Sequence, residues 1–294
     1  MFEVNGDAGF PLDDIAGIAI SNALHLASHP SQTNRFTHGD GDCSTMEEQV
    51  DRLVKKTWQK YGQLARSKRL LIAVSGIPGS GKTTLAATVA TRINALYHGE
   101  TPCAPSSDVI AAFIPMDGYH LSRTQLDAMP DPTTAHARRG AAFTFDGDSF
   151  LKLVKKLREP LLPESATLYA PSFDHAVKDP VQDDIAIPPT ARVVVFEGNY
   201  CSLNKSPWKE AAALMDELWF MDVDFDVARQ GLVTRHIKAG IAKDDADAHK
   251  RITENDLVNG REIVDDRMEV QEVIVSKDDD AWKPDHQSFV EESL

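Results

Sequence analysis

Apolar positions change period several times along the chain, and each change marks an element. Met46, Val50, Leu53, Val54, Thr57, Tyr61 and Leu64 recur at helical spacing behind Ser44-Thr45-Met46-Glu47-Glu48, which has the form of a capping box. The spacing predicts an amphipathic helix packed on a sheet. Leu70–Ser75 is a short continuous apolar run, hence a buried strand. Thr83–Tyr97 returns to helical period through Leu85, Val89, Ile93 and Leu96, with Gly99 as its expected C-cap. Val109–Met116, Arg192–Phe196, Leu218–Asp222 and Glu272–Ser276 read as further strands. Helices are predicted near Trp208–Met215, over Asp224–Ala239 ending at Gly240, and over Asp244–Val258 ending at Asn259-Gly260. Trp208 and Trp219 fall on core positions. No internal repeat is visible.

Strands that alternate with helices imply a mostly parallel sheet covered on both faces. Two stretches break the rhythm: residues 118–148, and residues 159–190, rich in proline and acids. Asp146-Gly147-Asp148 reads as a turn, since the later ligands of a calcium loop are missing. Loops of such length are usually functional, and ligands of open α/β sheets sit at the carboxyl ends of strands. Both stretches are therefore expected near a substrate. Residues 1–44, rich in Gly, Asp, Ser, Asn and His, read as a flexible extension before a domain spanning 45–294.

The chemistry starts at Gly76-Ile77-Pro78-Gly79-Ser80-Gly81-Lys82-Thr83, a full match to G-x-x-x-x-G-K-[ST]. It follows an apolar strand and opens an apolar-periodic helix, as the mechanism requires. Glycines let the backbone curl so that successive amides face phosphate oxygens, and the helix N-terminus adds positive potential. Lys82 is expected on the β- and γ-phosphates, the Thr83 hydroxyl on Mg²⁺, and Thr84 beside them. The fold class is thus a P-loop NTPase: α/β, with a mostly parallel five-stranded sheet and helices on both faces. Val193-Val194-Val195-Phe196-Glu197 has the form of a Walker B strand, which sets Glu197 beside the loop as a metal-organising acid. Asp117 ends another strand in the same way. Phosphoryl transfer to an alcohol needs a proton acceptor, and Asp117 suits that need, with a metal role open beside it; an ordinary Asp-Gly turn is the alternative.

Charge narrows the partners. The 294 residues carry 31 Lys and Arg against 45 Asp and Glu, a formal net charge of −14. Wrapping nucleic acid needs clustered cations, so no nucleic-acid partner is expected. No apolar run approaches the roughly 20 residues that cross a bilayer. Cys43, Cys103 and Cys201 form no CxxC pair, and no secretory signal opens the chain, so a cytoplasmic protein with reduced thiols is expected. Around the acids, Tyr119, His120, Arg123, Arg138, Arg139, Tyr169, Phe173, Asp174 and His175 have the make-up of a small-molecule pocket. Arg138 and Arg139 suit a carboxylate or phosphate, although either one taken singly reads as a surface ion-pair partner. His120, His136 and His175 lack metal-ligand spacing, which argues against zinc.

Gly76–Thr83, Asp117–His120, Phe173-Asp174-His175, Phe196–Tyr200 and Arg235–Gly240 together resemble the phosphoribulokinase/uridine kinase family of P-loop kinases, which includes bacterial-type pantothenate kinase. The resemblance spans roughly residues 68–280. Asp117–His120, Arg138-Arg139-Gly140 with Thr144-Phe145-Asp146, and Glu197–Tyr200 look closest to a branch described as nucleoside triphosphate hydrolases or fructose-transport-type kinases. The resemblance implies Asp117 as catalytic base and Glu197 as Walker B acid. It also implies a basic helical lid, here over about 224–260, for which Arg229, Arg235 and Lys238 are the matching cations, Arg235 as a catalytic one. The chain departs from uridine kinases at Gly118, where they carry Ser, and at Gln230-Gly231-Leu232, where their lid is denser in arginine. The expected activity is transfer of the γ-phosphate of ATP, with Mg²⁺, to a hydroxyl of a small metabolite (sugar, nucleoside or pantothenate-like). An ATPase coupled to a conformational or partner-binding role is the alternative, and a nucleotide-binding module without turnover is a third reading. The oligomeric state stays open.

Overall fold

The computed structural model describes residues 44–102, 105, 108–277 and 282, so all but the last residue of the extension expected at 1–44, with Cys43, and also Cys103 lie outside the described residues. One five-stranded sheet, in the order β2-β5-β1-β6-β7, carries the core. These are β1 Leu70–Gly76, β2 Ala111–Pro115, β5 Val193–Glu197, β6 Glu217–Asp222 and β7 Glu272–Val275, and every pairing among them is parallel. A separate antiparallel hairpin joins β3 Leu168–Asp174 to β4 Asp179–Ile187.

Strand side chains alternate between faces, and the two faces bury different sets. Leu71, Ala73, Val194, Phe196, Leu218 and Phe220 point into one core, with Phe150, Leu153 and Trp208. Leu70, Ile72, Val74, Val193, Val195, Trp219 and Met221 point into the other, with Leu53, Leu85 and Val89. The second core is closed by α1 Met46–Gly62 and α2 Lys82–Glu100; helix α1 is capped by Thr45, whose hydroxyl accepts from the Glu48 amide while the Glu48 carboxylate takes the Thr45 amide. The first core is closed by α5 Gly147–Arg158 and α6 Trp208–Ala212. Trp208 and Trp219 are buried as expected.

Several expectations need correction. Helix α2 runs through Gly99 to Glu100, and Leu96 is exposed rather than on the buried face. Residues 118–148 are not an irregular loop. They hold α3 Arg123–Asp127, α4 Pro132–Ala137 and the start of α5, whose N-cap is Asp146: its carboxylate accepts from the Ser149 amide, so Asp146-Gly147-Asp148 is a helix start and not a free turn. Residues 159–190 contain the β3–β4 hairpin, Leu168–Ile187. The lid comprises α7 Phe225–Lys238, α8 Asp245–Arg251, a π turn at Ile252–Asp256 and α9 Leu257–Asp265. The helix thus runs through Asn259-Gly260 instead of ending there. A Cβ on Gly260 would lie 3.1 Å from the Phe225 ring and 3.5 Å from Ile77, so this glycine permits close approach of α9 to the phosphate loop rather than capping it. No helix among the described residues is long and apolar enough to cross a membrane.

Candidate functional site

Strand β1 lies between β5 and β6, so the loop that leaves its carboxyl end opens at the middle of the sheet. Gly79 and Gly81 adopt φ of +80° and +89°, a region that strains any residue with a Cβ, and Gly81 is the N-cap of α2. Lys82 follows and is buried. Its ammonium lies 3.4 Å from the Ile77 carbonyl and 3.8 Å from Glu197 Oε1, both longer than a charge-assisted hydrogen bond of about 2.8 Å. The protein therefore holds the ammonium in place while engaging its donors only weakly. Burial lowers the Lys82 pKa, with Arg235 acting the same way and Glu197 and Asp117 opposing.

Glu197 ends β5, next to β1, and is 5% exposed. Burial pushes its carboxyl well above the ordinary range; Asp117 adds to this, while Lys82, a hydrogen bond from Thr83 and Arg235 pull the other way. Asp117 follows β2, which flanks β5, so two carboxylates stand at neighbouring strand tips. The Asp117 side chain is 45% exposed, unlike Glu197, and remains open to a ligand. Residues Gly79, Ser80, Thr84, Met221, Val227, Gln230 and Trp282 line a cleft on the outer side of the phosphate loop.

Beyond Asp117 the site is built around aromatic rings. His120 packs between Phe145, at 4.0 Å between ring centroids, and Phe173, at 4.9 Å; His175 lies edge-on to Phe173 at 5.2 Å. His120 Nδ1 is 2.8 Å from the Asp117 backbone carbonyl, an acceptor only, so Nδ1 carries the proton and donates. Burial lowers the pKa of His120 and of His175, against the pull of Asp117 on each. Asp174 shapes the hairpin tip, since its Oδ1 accepts from the amides of Ala176 and Val177. Tyr119 is a core residue, edge-on to Phe150. Tyr169 is half exposed and lines, with Tyr119, His120 and Lys152, a second cleft that includes no phosphate-loop residue and not Asp117.

Gly118 explains one departure noted above. A Cβ there would sit 2.0 Å from the Pro171 carbonyl oxygen, so strand β3 rests directly on the backbone after Asp117. Gly118→Ala is expected to displace the hairpin and cost about 1–3 kcal/mol of stability, with weakened turnover. Chemical denaturation checks it, and unchanged midpoint and turnover would show that the contact is soft.

The two neighbouring arginines part company. Arg139 donates to the Leu121 carbonyl at 3.0 Å and to Asp179 at 3.2 Å, and lies over the Phe173 ring. Arg123 joins the same carboxylate through its amide, at 2.9 Å, and through Nε, at 3.2 Å. Arg139 and Arg123 thus tie the hairpin to the loop after β2 through the Asp179 carboxylate. Burial pushes the Asp179 pKa up, but the Arg123 amide and both guanidiniums outweigh it and hold the carboxyl below its ordinary 3.8. Folding is then favoured above that value and the contribution fades as pH falls through the lowered one. Asp179→Asn is expected to cost about 1 kcal/mol near neutrality, discounted for its partial exposure, and the difference from the unsubstituted chain should vanish in strong acid. Urea midpoints against pH test this; a pH-independent difference would contradict it. Arg138 instead donates to Asn259 Oδ1 at 2.6 Å, on the lid.

Of the lid cations, Arg235 acts electrostatically on Lys82, Glu197 and His175, which sets it over the site. Arg229 precedes it by six residues, roughly 240° around the helix, and makes a long 3.9 Å pair with Asp226. Lys238 is exposed at the end of α7. The structure therefore brings together Lys82, Thr83, Asp117, Glu197, Arg235, His120, Phe173 and His175. Sequence reasoning missed Asp179, on a stretch read as loop, Arg251 and Asn255, inside the helix expected over Asp244–Val258, and Asn259, read as that helix's end.

A divalent cation can be tested against this set. Among the described residues no three His, Cys, Asp or Glu side chains gather to hold an ion. The oxygens present are one hydroxyl, Thr83, hydrogen-bonded to one carboxylate, Glu197, with Asp117 nearby. That is a fitting donor set for Mg²⁺, which takes one or two carboxylates and fills the rest with water and phosphate.

No protein-family model matches the chain. Among curated proteins it is 58% identical over 159 residues, 54% of the chain and 92% of the relative, to the ATP-dependent kinase-like protein notR′ of Aspergillus versicolor. It is 40% identical over 218 residues, 74% of the chain and 85% of the relative, to a protein of Schizosaccharomyces pombe named for uridine kinase. Among solved structures it superposes on a Silicibacter protein named for a fructose transport system kinase with TM-score 0.63 and 27% identity, covering 76% of the chain and 98% of that protein. YFH7 of Saccharomyces cerevisiae, a P-loop protein, matches with TM-score 0.67 at 23% identity over 80% of the chain and 100% of its own, a likeness of fold alone.

Proposed function

The chain belongs to the uridine-kinase-like family of ATP-dependent P-loop kinases, and from that premise we propose that it transfers the γ-phosphate of ATP to a hydroxyl of a small metabolite. One observation supports this above the others. A half-exposed carboxylate, Asp117, stands at the strand tip beside Glu197 and is felt electrostatically by Lys82, Glu197, His120 and His175 alike. A phosphate loop needs no such group to bind nucleotide. Transfer to an alcohol does.

The roles follow from placement. The amides of Gly79–Thr83 and the start of α2 hold the phosphates. Lys82 bridges to the β- and γ-phosphoryl oxygens as its weak protein contacts give way. Thr83 and Glu197 would hold Mg²⁺, which offsets charge on those oxygens. Asp117 accepts the acceptor's hydroxyl proton as the new P–O bond forms and the bond to the β-phosphate oxygen breaks, leaving ADP. Arg235 meets negative charge on the moving phosphoryl group. His120, Phe173 and His175 supply an aromatic wall for the acceptor, and the hairpin that carries two of them limits access of water.

The test is ADP release from Mg·ATP with and without a pool of sugars, nucleosides, pantothenate and glycerate. Release that rises with one acceptor class supports the proposal. Release of equal rate with every acceptor and with none would instead make the chain an ATPase.

A further inference from the structure

Helix residues Arg251, Asn255 and Asn259 recur four apart and form one stripe on the lid, across the π turn, facing the segment Arg138-Arg139-Gly140. A continuous network runs along it. Arg251 Nη2 and Asn255 Nδ2 both donate to the Arg139 carbonyl, at 3.3 and 3.0 Å; Asn259 Nδ2 donates to Asn255 Oδ1 at 3.3 Å; and Arg138 Nη2 donates to Asn259 Oδ1 at 2.6 Å. Asn255 and Asn259 are 3% and 2% exposed. Gly140, at φ +104°, lies against both amides, and its carbonyl accepts from Tyr200 at 2.8 Å, three residues past Glu197. Asn259 also precedes Gly260, which packs on Ile77 of the phosphate loop.

The odd feature is the charge. The chain has an excess of 14 acids, yet every partner named for Arg138 and Arg251 is neutral. The Nε atoms of both are buried and have no hydrogen-bond partner, as is also true of those of Arg139 on the same segment and of Arg229 on α7. Buried guanidinium donors are normally satisfied by protein, water or an ion, and a buried cation normally has a counter-charge. Two such guanidiniums on one network, held only by neutral amide groups, have the donor chemistry that recognises an anion.

We infer that Arg138 and Arg251 bind an anionic group of the acceptor, so that the acceptor is a hydroxyl compound carrying its own phosphate or carboxylate. This rests on the kinase reading above and narrows it. The same network would serve a phosphoryl group of the nucleotide, and the experiment separates the two sources.

The full chain is saturated with Mg·AMP-PNP, which fills the γ-phosphate position, and inorganic phosphate is then titrated by calorimetry at fixed ionic strength. The unsubstituted chain is expected to bind phosphate. Arg138→Gln and Arg251→Gln should each weaken it about tenfold or more, with AMP-PNP affinity within about threefold of the unsubstituted chain. Asn259→Asp, nearly isosteric, should do the same by giving Arg138 a built-in counter-ion. Phosphate that binds the ADP complex but not the AMP-PNP complex would assign the anion to the nucleotide and overturn the inference. Phosphate affinity unaltered in all three variants would overturn it too, as would no phosphate binding beside normal AMP-PNP binding. Loss of AMP-PNP binding in the unsubstituted chain would remove the kinase reading, and this inference with it.

Discussion

Lys82→Met is expected to lower ATP-dependent phosphoryl transfer by about 10³-fold while the fold persists. The side chain is buried between Glu197 and the Ile77 carbonyl, and neither contact is short enough to use its donors fully. Methionine keeps an unbranched side chain, one atom shorter, and removes the charge with its N–H donors. Folding tolerates this because burial already raises the Glu197 pKa, so that carboxyl can take up a proton when its neighbour is lost. Transfer does not tolerate it, because charge moving across the γ-phosphoryl group loses its fixed cation in a site shielded from water. Nucleotide affinity should fall as well, by about tenfold, since part of the contact is made in the ground state. Initial-rate kinetics and thermal melts on one preparation measure both parts. A variant that melts normally and turns over normally would show that Lys82 does not touch phosphate.

Asp117→Asn should reduce kcat by about 10²- to 10⁴-fold with ATP affinity within about threefold. Asparagine keeps the shape and the exposed position but cannot accept a proton. Asp117 is the less buried of the two strand-tip acids, so the loss should be purely chemical and leave stability nearly unchanged. The neighbouring imidazole gives a sharp alternative. His120 Nδ1 lies 4.0 Å from Asp117 Oδ1 and its proton is committed to the Asp117 carbonyl, which leaves Nε2 as an acceptor. If Asp117→Asn retained full kcat and His120→Gln lost it, the base would be His120.

The phosphate loop was legible because a strict residue string coincides with a change from strand to helix period at Gly76–Thr83. The strand tips were legible for a similar reason, since Glu197 and the acid after Pro115 each follow a continuous apolar run. The hairpin was not. Strand β4 carries Gln182, Asp183 and Asp184 in succession on an exposed arm, so no apolar alternation marks it. The lid stripe was hidden by Gly260, which has the look of a helix stop but serves contact with Ile77 and Phe225. Arg138 and Arg139 could not be told apart either. Their divergence depends on Asp179 and Asn259, which lie 40 and 121 residues away, respectively. Local pattern reports what an element is, whereas the partner of a polar side chain is fixed by the topology that joins distant segments.

The central claim is that the phosphoryl group passes from nucleotide to an organic hydroxyl opposite Asp117. The most direct measurement follows the label of γ-³²P ATP after incubation with Mg²⁺ and an acceptor pool enriched in phosphorylated and carboxylated alcohols. The account requires the label in an acid-stable organic ester, formed at a rate that Asp117→Asn abolishes. Label recovered wholly as inorganic phosphate, at a rate no acceptor alters, would contradict it.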